Sequence, residues 1–236
     1  MITISKSGYY YPNRLALAAF NALAEVMGKN GFNAMLTLAR LRNFINSPPS
    51  DDLEKGFDFA DFSAIQIALE EMYGEEAGRM FLRRAGRTAF AQALKTYGAM
   101  AGVSNEAFRC LPLPVQLRIG IQALARIMTQ ISDQWTMAEE CEGQIMYRVH
   151  KCPHCWERAG MKQGICSFGT GLLEEGLKWI SGGLVFNVIE TKCLAAGNEL
   201  CEYTIEKQPL HGDQPVQGSR RILPHGPVDP GNLCGK

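Results

Sequence analysis

The hydrophobic period of this chain changes once, near Trp135, and that change limits the folds open to it. Before it, apolar residues recur at helical spacing. Asn13 can cap a segment carrying Leu15, Leu17, Ala18, Phe20 and Leu23, which Gly28 stops. Phe32 to Ile45 repeats the pattern, and the Pro- and Ser-rich run from Ser47 to Asp52 is a loop. Asp61 or Ser63 can open a third helix, and Glu75 to Tyr97 and Val115 to Trp135 supply two more. After Trp135 the period becomes two, with Ile145, Tyr147 and Val149 alternating along Gln144 to His150 and Thr136 to Glu140 as the hairpin partner. Phe168 to Ile180 returns to helical spacing and ends at Gly182-Gly183. Leu184 to Thr191 and Cys201 to Lys207 read as two further strands around Gly197-Asn198. The expectation is an α+β fold. A helical region, 1–135, packs as one unit with an antiparallel sheet and helix, 136–207. The tail 208–236, poor in apolar residues, is expected to be disordered.

Charge narrows the partners. Lys plus Arg and Asp plus Glu both number 24, so no net field favours nucleic acid or an anionic membrane. The N-terminal residues lack an apolar signal core, and Leu15 to Ala24 is too short to span a bilayer. The chain is expected to be soluble and cytoplasmic. In a reducing compartment its 8 cysteines point to metal or redox chemistry over disulfides.

Cys193 and Cys201 bracket the loop Leu194 to Leu200, so a hairpin would bring both sulfurs to one point. Glu190 lies three residues before Cys193, and strand residues at that spacing face opposite sides. Both can reach one ion only if the strand bulges or turns at Thr191-Lys192. Cys166 stands just ahead of a helix, where the helix N-terminus favours a thiolate. Three thiolates and a carboxylate would close a tetrahedral zinc site of structural type. The competing reading is that these are ordinary small core residues. Cys152 and Cys155, in Cys-Pro-His-Cys, form a second dithiol that can be a redox pair, a second metal knuckle or part of the same site. The thiols also leave an iron–sulfur cluster open.

The stretch Cys152 to Glu206 resembles the vinyl-4-reductase domain, a small ligand-binding module. The matching features are Cys-Pro-x-Cys, Cys166 followed by Gly171-Leu172-Leu173-Glu174, Val188-Ile189-Glu190-x-x-Cys193, Gly197 and Cys201-x-Tyr203. Tyr9 to Arg14 and Gly56 to Phe62 are similar to the BchJ-like group of phototrophic bacteria, which extends the resemblance over residues 8 to 207. The resemblance implies helices on an antiparallel sheet, similar to TRAPP subunits, usually dimerised through helices. It implies zinc on Cys166, Glu190, Cys193 and Cys201 beside an aromatic-ligand pocket. It also implies a place in (bacterio)chlorophyll synthesis.

A reductase needs a source of hydride or electrons. Gly169-Thr170-Gly171 with Gly176 departs from a dinucleotide loop, and no Walker loop, HExxH or nucleophile elbow is present. The expected role is therefore a binding or accessory protein. It would hold a tetrapyrrole such as a divinyl (proto)chlorophyllide, as a homodimer that serves enzymes of chlorophyll synthesis. A vinyl reductase using an iron–sulfur centre or an external reductant, and a sensor of small aromatic or lipid ligands, are the alternatives. Tyr147, His150, Trp156, Trp179 and Phe186 are the expected pocket residues; no catalytic residue is assigned.

Overall fold

The computed structural model describes residues 4–97, 106–141 and 143–210, so the expected tail falls outside the described residues from position 211 onward. β1 (Tyr10–Pro12) runs directly into α1 (Asn13–Leu38), whose helical path breaks at Gly28, where φ is 73° and ψ 159°. Asn13 does not cap this helix. Pro12 takes the N-cap position, and the Asn13 amide donates to Asp52 Oδ1 at 2.9 Å, tying the helix start to the 47–52 loop. The all-helical expectation also missed a small sheet, in which β1 pairs antiparallel with β2 (Lys55–Asp58), Tyr10 opposite Asp58 and Tyr11 opposite Phe57. Strands of three and four residues are too short for alternation to show. α2 (Phe59–Tyr73) begins earlier than either Asp61 or Ser63 would allow, because Asp58 Oδ1 accepts from the Ala60 N–H at 2.8 Å. α3 (Glu75–Tyr97), α4 (Glu106–Arg109) and α5 (Leu113–Ile131) follow.

Past Trp135 the elements are β3 (Thr136–Cys141), β4 (Gln144–Val149), α6 (Ser167–Ile180), β5 (Phe186–Lys192) and β6 (Cys201–Pro209). The strands form one antiparallel sheet in the order β3-β4-β6-β5. Ile145 faces Ile205, Tyr147 faces Tyr203, and Val149 faces Cys201, so one buried stripe crosses the sheet under α5 and α6. The chain is thus α+β. None of its described helices is long and apolar enough to cross a membrane.

α6 is the wedge between two cores. Phe168 joins the interior of α1, α2 and α3, whereas Leu173, Leu177 and Ile180 join the interior between α5 and the sheet. α3 and α6 approach backbone to backbone at two glycines. A methyl group at Gly171 would overlap the Arg83 carbonyl, and one at Gly86 would overlap the Phe168 carbonyl. Glu174 on α6 then receives both Arg83 and Arg87 from α3. Gly171→Ala is expected to push the helices apart and cost about 3 kcal/mol. Thermal unfolding followed by circular dichroism measures this, and an unchanged midpoint would show that the contact is not tight.

Candidate metal centre

Two loops and one helix start bring five cysteines together. β4 ends at Val149, and the chain turns through Cys152 into a single 3-10 turn, Pro153–Cys155, in which the Cys155 N–H donates to the Cys152 carbonyl at 3.2 Å. Proline at the first position of that turn presets its backbone. Cys166 is the N-cap residue of α6. Cys193 closes β5 and opens a second 3-10 turn, Leu194–Ala196, which Gly197 ends at φ 92°. Cys201 starts β6.

All five side chains are buried, none more than 7% exposed. Cys155 Sγ lies 3.4 Å from Cys166 Sγ and 3.5 Å from both Cys193 and Cys201. Cys166 Sγ lies 3.5 Å from Cys152, 3.7 Å from Cys201 and 4.0 Å from Cys193. Every one of these thiols is free; a disulfide would need sulfurs about 2.05 Å apart. Cys141 is exposed and outside the group.

Glu190 completes the donor set. The pairing of β5 with β6 slips between Glu190 and Lys192, which is the bulge that Glu190 and Cys193 require to face one point. Glu190 Oε2 accepts from the Cys166 N–H at 2.8 Å, while its Oε1 is buried without a partner. The carboxylate fits there because residue 164 is glycine, where any Cβ would collide with Glu190 Oε2. Burial pushes the Glu190 carboxyl above its ordinary range. Two four-donor groups result, Cys152, Cys155, Cys166 and Cys201, and Cys166, Glu190, Cys193 and Cys201, the donor atoms within each lying no more than 4.8 Å apart.

Hydrogen bonds from Cys152, Cys166, Cys193 and Cys201 push the Cys155 thiol down. Burial pushes Cys152 up to about 11 and pushes Cys166 well up too, and hydrogen bonds from Cys152 and Cys155 push Cys201 up. Neutral thiols can pack this closely, whereas ionised together they would repel one another unless a cation lay between them. The Leu194 N–H already points at Cys201 Sγ, at 3.4 Å, as outer-shell donors to metal-bound thiolates do. Chemically the arrangement suits soft cations. No open face for a water nucleophile is visible among these buried donors.

The expected pocket residues separate. Tyr147 lines a cavity of about 40 Å³ between α1, α6 and the sheet, and Trp179 lines another of about 50 Å³ between α3, α5 and α6. His150 instead stacks on Trp135, ring centres 4.1 Å apart. Trp156 lies outside both cavities, its indole N–H donating to the Ser5 carbonyl at 2.9 Å, and Phe186 is packed into the sheet core. The residue that sequence reasoning undervalued is His154. It is 3% exposed, lines the cavity with Tyr147, packs edge-on against Phe62 at 4.9 Å, and leaves Nδ1 without a partner. The one signal in the sequence was its place between Cys152 and Cys155.

Burial pushes the His154 imidazole down to about 4. Because the folded value lies below the unfolded one near 6.5, the unfolded chain takes the proton first as pH falls. Stability is therefore constant above about 6.5 and lost between about 6.5 and 4, by roughly 3 kcal/mol. Urea unfolding of the natural chain and of His154→Gln across this range is the check: the variant should lose that part of the slope, and parallel curves would contradict it.

No protein-family model matches the chain, and no curated protein matches it. Solved structures do. A structure described as probing the function of heme distortion in the H-NOX family matches with a TM-score of 0.55 at 12% identity, covering 86% of this chain and 98% of that one. An H-NOX protein from S. oneidensis in the Fe(II)NO ligation state matches at 0.54 and 10% identity, covering 80% and 97%. A mutant of T. tengcongensis H-NOX matches at 0.53 and 14%, covering 84% and 99%. These identities establish likeness of fold alone.

They correct the family expectation. The structures sharing this fold are H-NOX domains and not a vinyl-4-reductase family, so the Cys and Glu spacing that carried that resemblance describes a local thiol knuckle and not a family. The roles it brought fall with it: the carrier of chlorophyll precursors, the vinyl reductase, and service to photosynthetic pigment synthesis. The cofactor expectation is corrected too, since the neighbours are described as heme proteins and lend no support to zinc or an iron–sulfur cluster. What the described part of the chain shares with them is an α+β fold, several helices covering one face of a four-stranded antiparallel sheet.

Proposed function

We propose that this chain is a sensor module for a small molecule, in which a buried thiolate metal centre fixes the start of α6. The observation that carries the metal centre is the convergence of five buried sulfurs and the unpartnered Glu190 oxygen on the N-terminus of that helix. The same helix walls both interior cavities through Leu172, so a guest in either one bears on the element that the centre anchors. The fold it shares with H-NOX proteins supports a small-molecule reading, and the small size of the cavities walled by α6 speaks against a large pigment there.

Heme, which those proteins are described as holding, does not fit the described residues. Sites for cofactors and drug-sized ligands run about 300–1,000 Å³. The two cavities walled by α6 are about 50 and 40 Å³, and two larger hollows, about 570 Å³ beside Arg83 and Arg87 and about 820 Å³ beside Arg40 and Arg42, carry no histidine. Of the described histidines, His150 stacks on Trp135, and His154 packs against Phe62 and Phe168 in a cavity of about 40 Å³, too small for a porphyrin beside it. The cavities suit a guest of a few atoms, such as a diatomic gas.

Three measurements on protein purified without oxygen test this reading. Metal analysis after desalting is expected to find a soft transition metal at one ion per chain or more; none would sink the centre. Titration with hemin is expected to give no stoichiometric Soret shift, and a tight adduct lost in His154→Ala would reverse the statement on heme. Xenon is expected to perturb the Leu172 and Met128 methyl signals, and silence there would remove the cavities as guest sites.

A further inference from the structure

The centre has six donors, and a tetrahedral ion uses four. A cation held by Cys152, Cys155, Cys166 and Cys201 leaves Cys193 and Glu190 unused inside the protein. A cation held by Cys166, Glu190, Cys193 and Cys201 leaves Cys152 and Cys155 unused. A cation held by Cys155, Cys166, Cys193 and Cys201, with Cys155 3.4–3.5 Å from the other three, leaves Cys152 and Glu190 unused; each single-ion choice leaves two donors idle, and wherever Glu190 is idle its Oε1 stays without a partner. Unsatisfied buried polar groups are costly and uncommon.

We propose that the site holds two soft cations at once, with Cys166 and Cys201 bridging them. The two four-donor groups have these two cysteines in common, so they are two tetrahedra sharing an edge. A thiolate sulfur has lone pairs enough to bind two ions, which a neutral imidazole nitrogen does not. Cys152 and Cys155 are the terminal donors of one ion; Cys193 and Glu190 are those of the other. This inference rests on the thiolate centre proposed above.

The distances agree with the assignment. Metal–sulfur bonds of about 2.3 Å in a tetrahedron put its sulfurs roughly 3.8 Å apart. The shared edge, Cys166 to Cys201, is 3.7 Å, and Cys155 lies 3.4 and 3.5 Å from its two ends. On the other side Cys193 is 4.0 Å from Cys166. One separation is shorter than terminal donors of different ions keep, Cys155 to Cys193 at 3.5 Å. That is the spacing of donors to one ion, so holding two ions requires these sulfurs to part.

Charge points the same way. Ionised together, the five thiols and Glu190 would put six negative charges in the interior. The guanidinium that packs beside this segment, Arg158, is already engaged by Glu70. Two divalent cations offset four of the six charges, and the N–H groups of Leu194 and Cys166 face what is left. One cation leaves two donors that must stay protonated. Occupancy by two ions therefore gives every donor a role.

Cadmium serves as the probe. The reduced full chain, freed of metal under argon and titrated with cadmium-113, is read by native mass spectrometry and by cadmium NMR. The expected result is two ions per chain and two resonances split by coupling through the shared sulfurs, one in the all-sulfur range and one displaced by the carboxylate oxygen. Glu190→Gln is expected to reduce the chain to one ion and leave the all-sulfur resonance unsplit. Cys201→Ser, which alters both tetrahedra, is expected to lose both resonances. A single ion at saturation would overturn the paired site while leaving a thiolate centre in place. Two uncoupled resonances would equally overturn the bridging, and no tightly held cadmium would overturn both readings.

Discussion

Cys201→Ser is expected to empty the centre and to lower the stability of the chain by more than about 3 kcal/mol. Cys201 is fully buried and belongs to both donor groups. It also begins β6, directly across from Val149, so the loss acts on the sheet as well as on the helix that the centre anchors. Where a metal site is structural, its binding energy is folding energy, on the order of 10 kcal/mol in small zinc domains, and removing one ligand forfeits a large part of it. For a chain of this length a 3 kcal/mol loss lowers the unfolding midpoint by roughly 10 °C. Metal content and thermal unfolding should therefore fall together. Cys141→Ser, at an exposed thiol outside the group, is expected to change neither. A Cys201→Ser protein that melts with the natural chain would show that the sulfurs are only core filling.

The second large effect lies at Arg158. The segment between Cys155 and Cys166 has no regular structure past its 3-10 turn, yet it must carry two of the donors. Polar side chains of α2 hold it. Arg158 gives two hydrogen bonds to Glu70, at 3.0 and 2.6 Å, in a pair whose side chains are only 7% and 10% exposed. Gln66 donates to the Ile165 carbonyl at 2.7 Å, and the Ser63 hydroxyl donates to the Trp156 carbonyl at 2.9 Å. Removing one partner of a buried ion pair strands the other charge. Arg158→Met is thus expected to cost about 3–5 kcal/mol, whereas Arg158→Met with Glu70→Leu should regain much of it. Both variants loosen the segment, so both should hold metal more weakly than the natural chain. Denaturant unfolding of the single and double variants decides the matter: equal losses would show that the ion pair does not hold the segment.

The elements that the sequence made legible are those long enough for a period to declare itself. α5, α6 and the four strands after Trp135 fall close to their expected places, because each buries one stripe of apolar residues. β1 and β2 did not show, because their pairing depends on contacts between positions near 10 and near 57 that no local pattern encodes. The cap expected at Asn13 and the helix start expected at Asp61 or Ser63 were misplaced for a related reason. Asn13 is spent on Asp52, and Asp58 caps from inside a strand end.

The site was half legible. Spacing could place Cys193 and Cys201 at the ends of one hairpin and could state that Glu190 needs a bulge to join them. It could not decide between one site and two, because Cys152 and Cys155 reach Cys166 only through a loop whose path is set by Glu70, Gln66 and Ser63 on a distant helix. The same long-range packing put His154 inside, against Phe62 and Phe168. The family resemblance drew its weight from the cysteine spacing, and spacing of that kind reports a knuckle's local geometry more directly than the fold that carries it.

X-ray absorption at the edge of whatever metal the anaerobically purified chain carries tests the central claim most directly. The account predicts a first shell dominated by sulfur, at roughly 2.3 Å for a first-row ion, with a lighter oxygen contribution that disappears in Glu190→Gln. A shell of nitrogen and oxygen alone, or the four-nitrogen plane of a porphyrin, would contradict it.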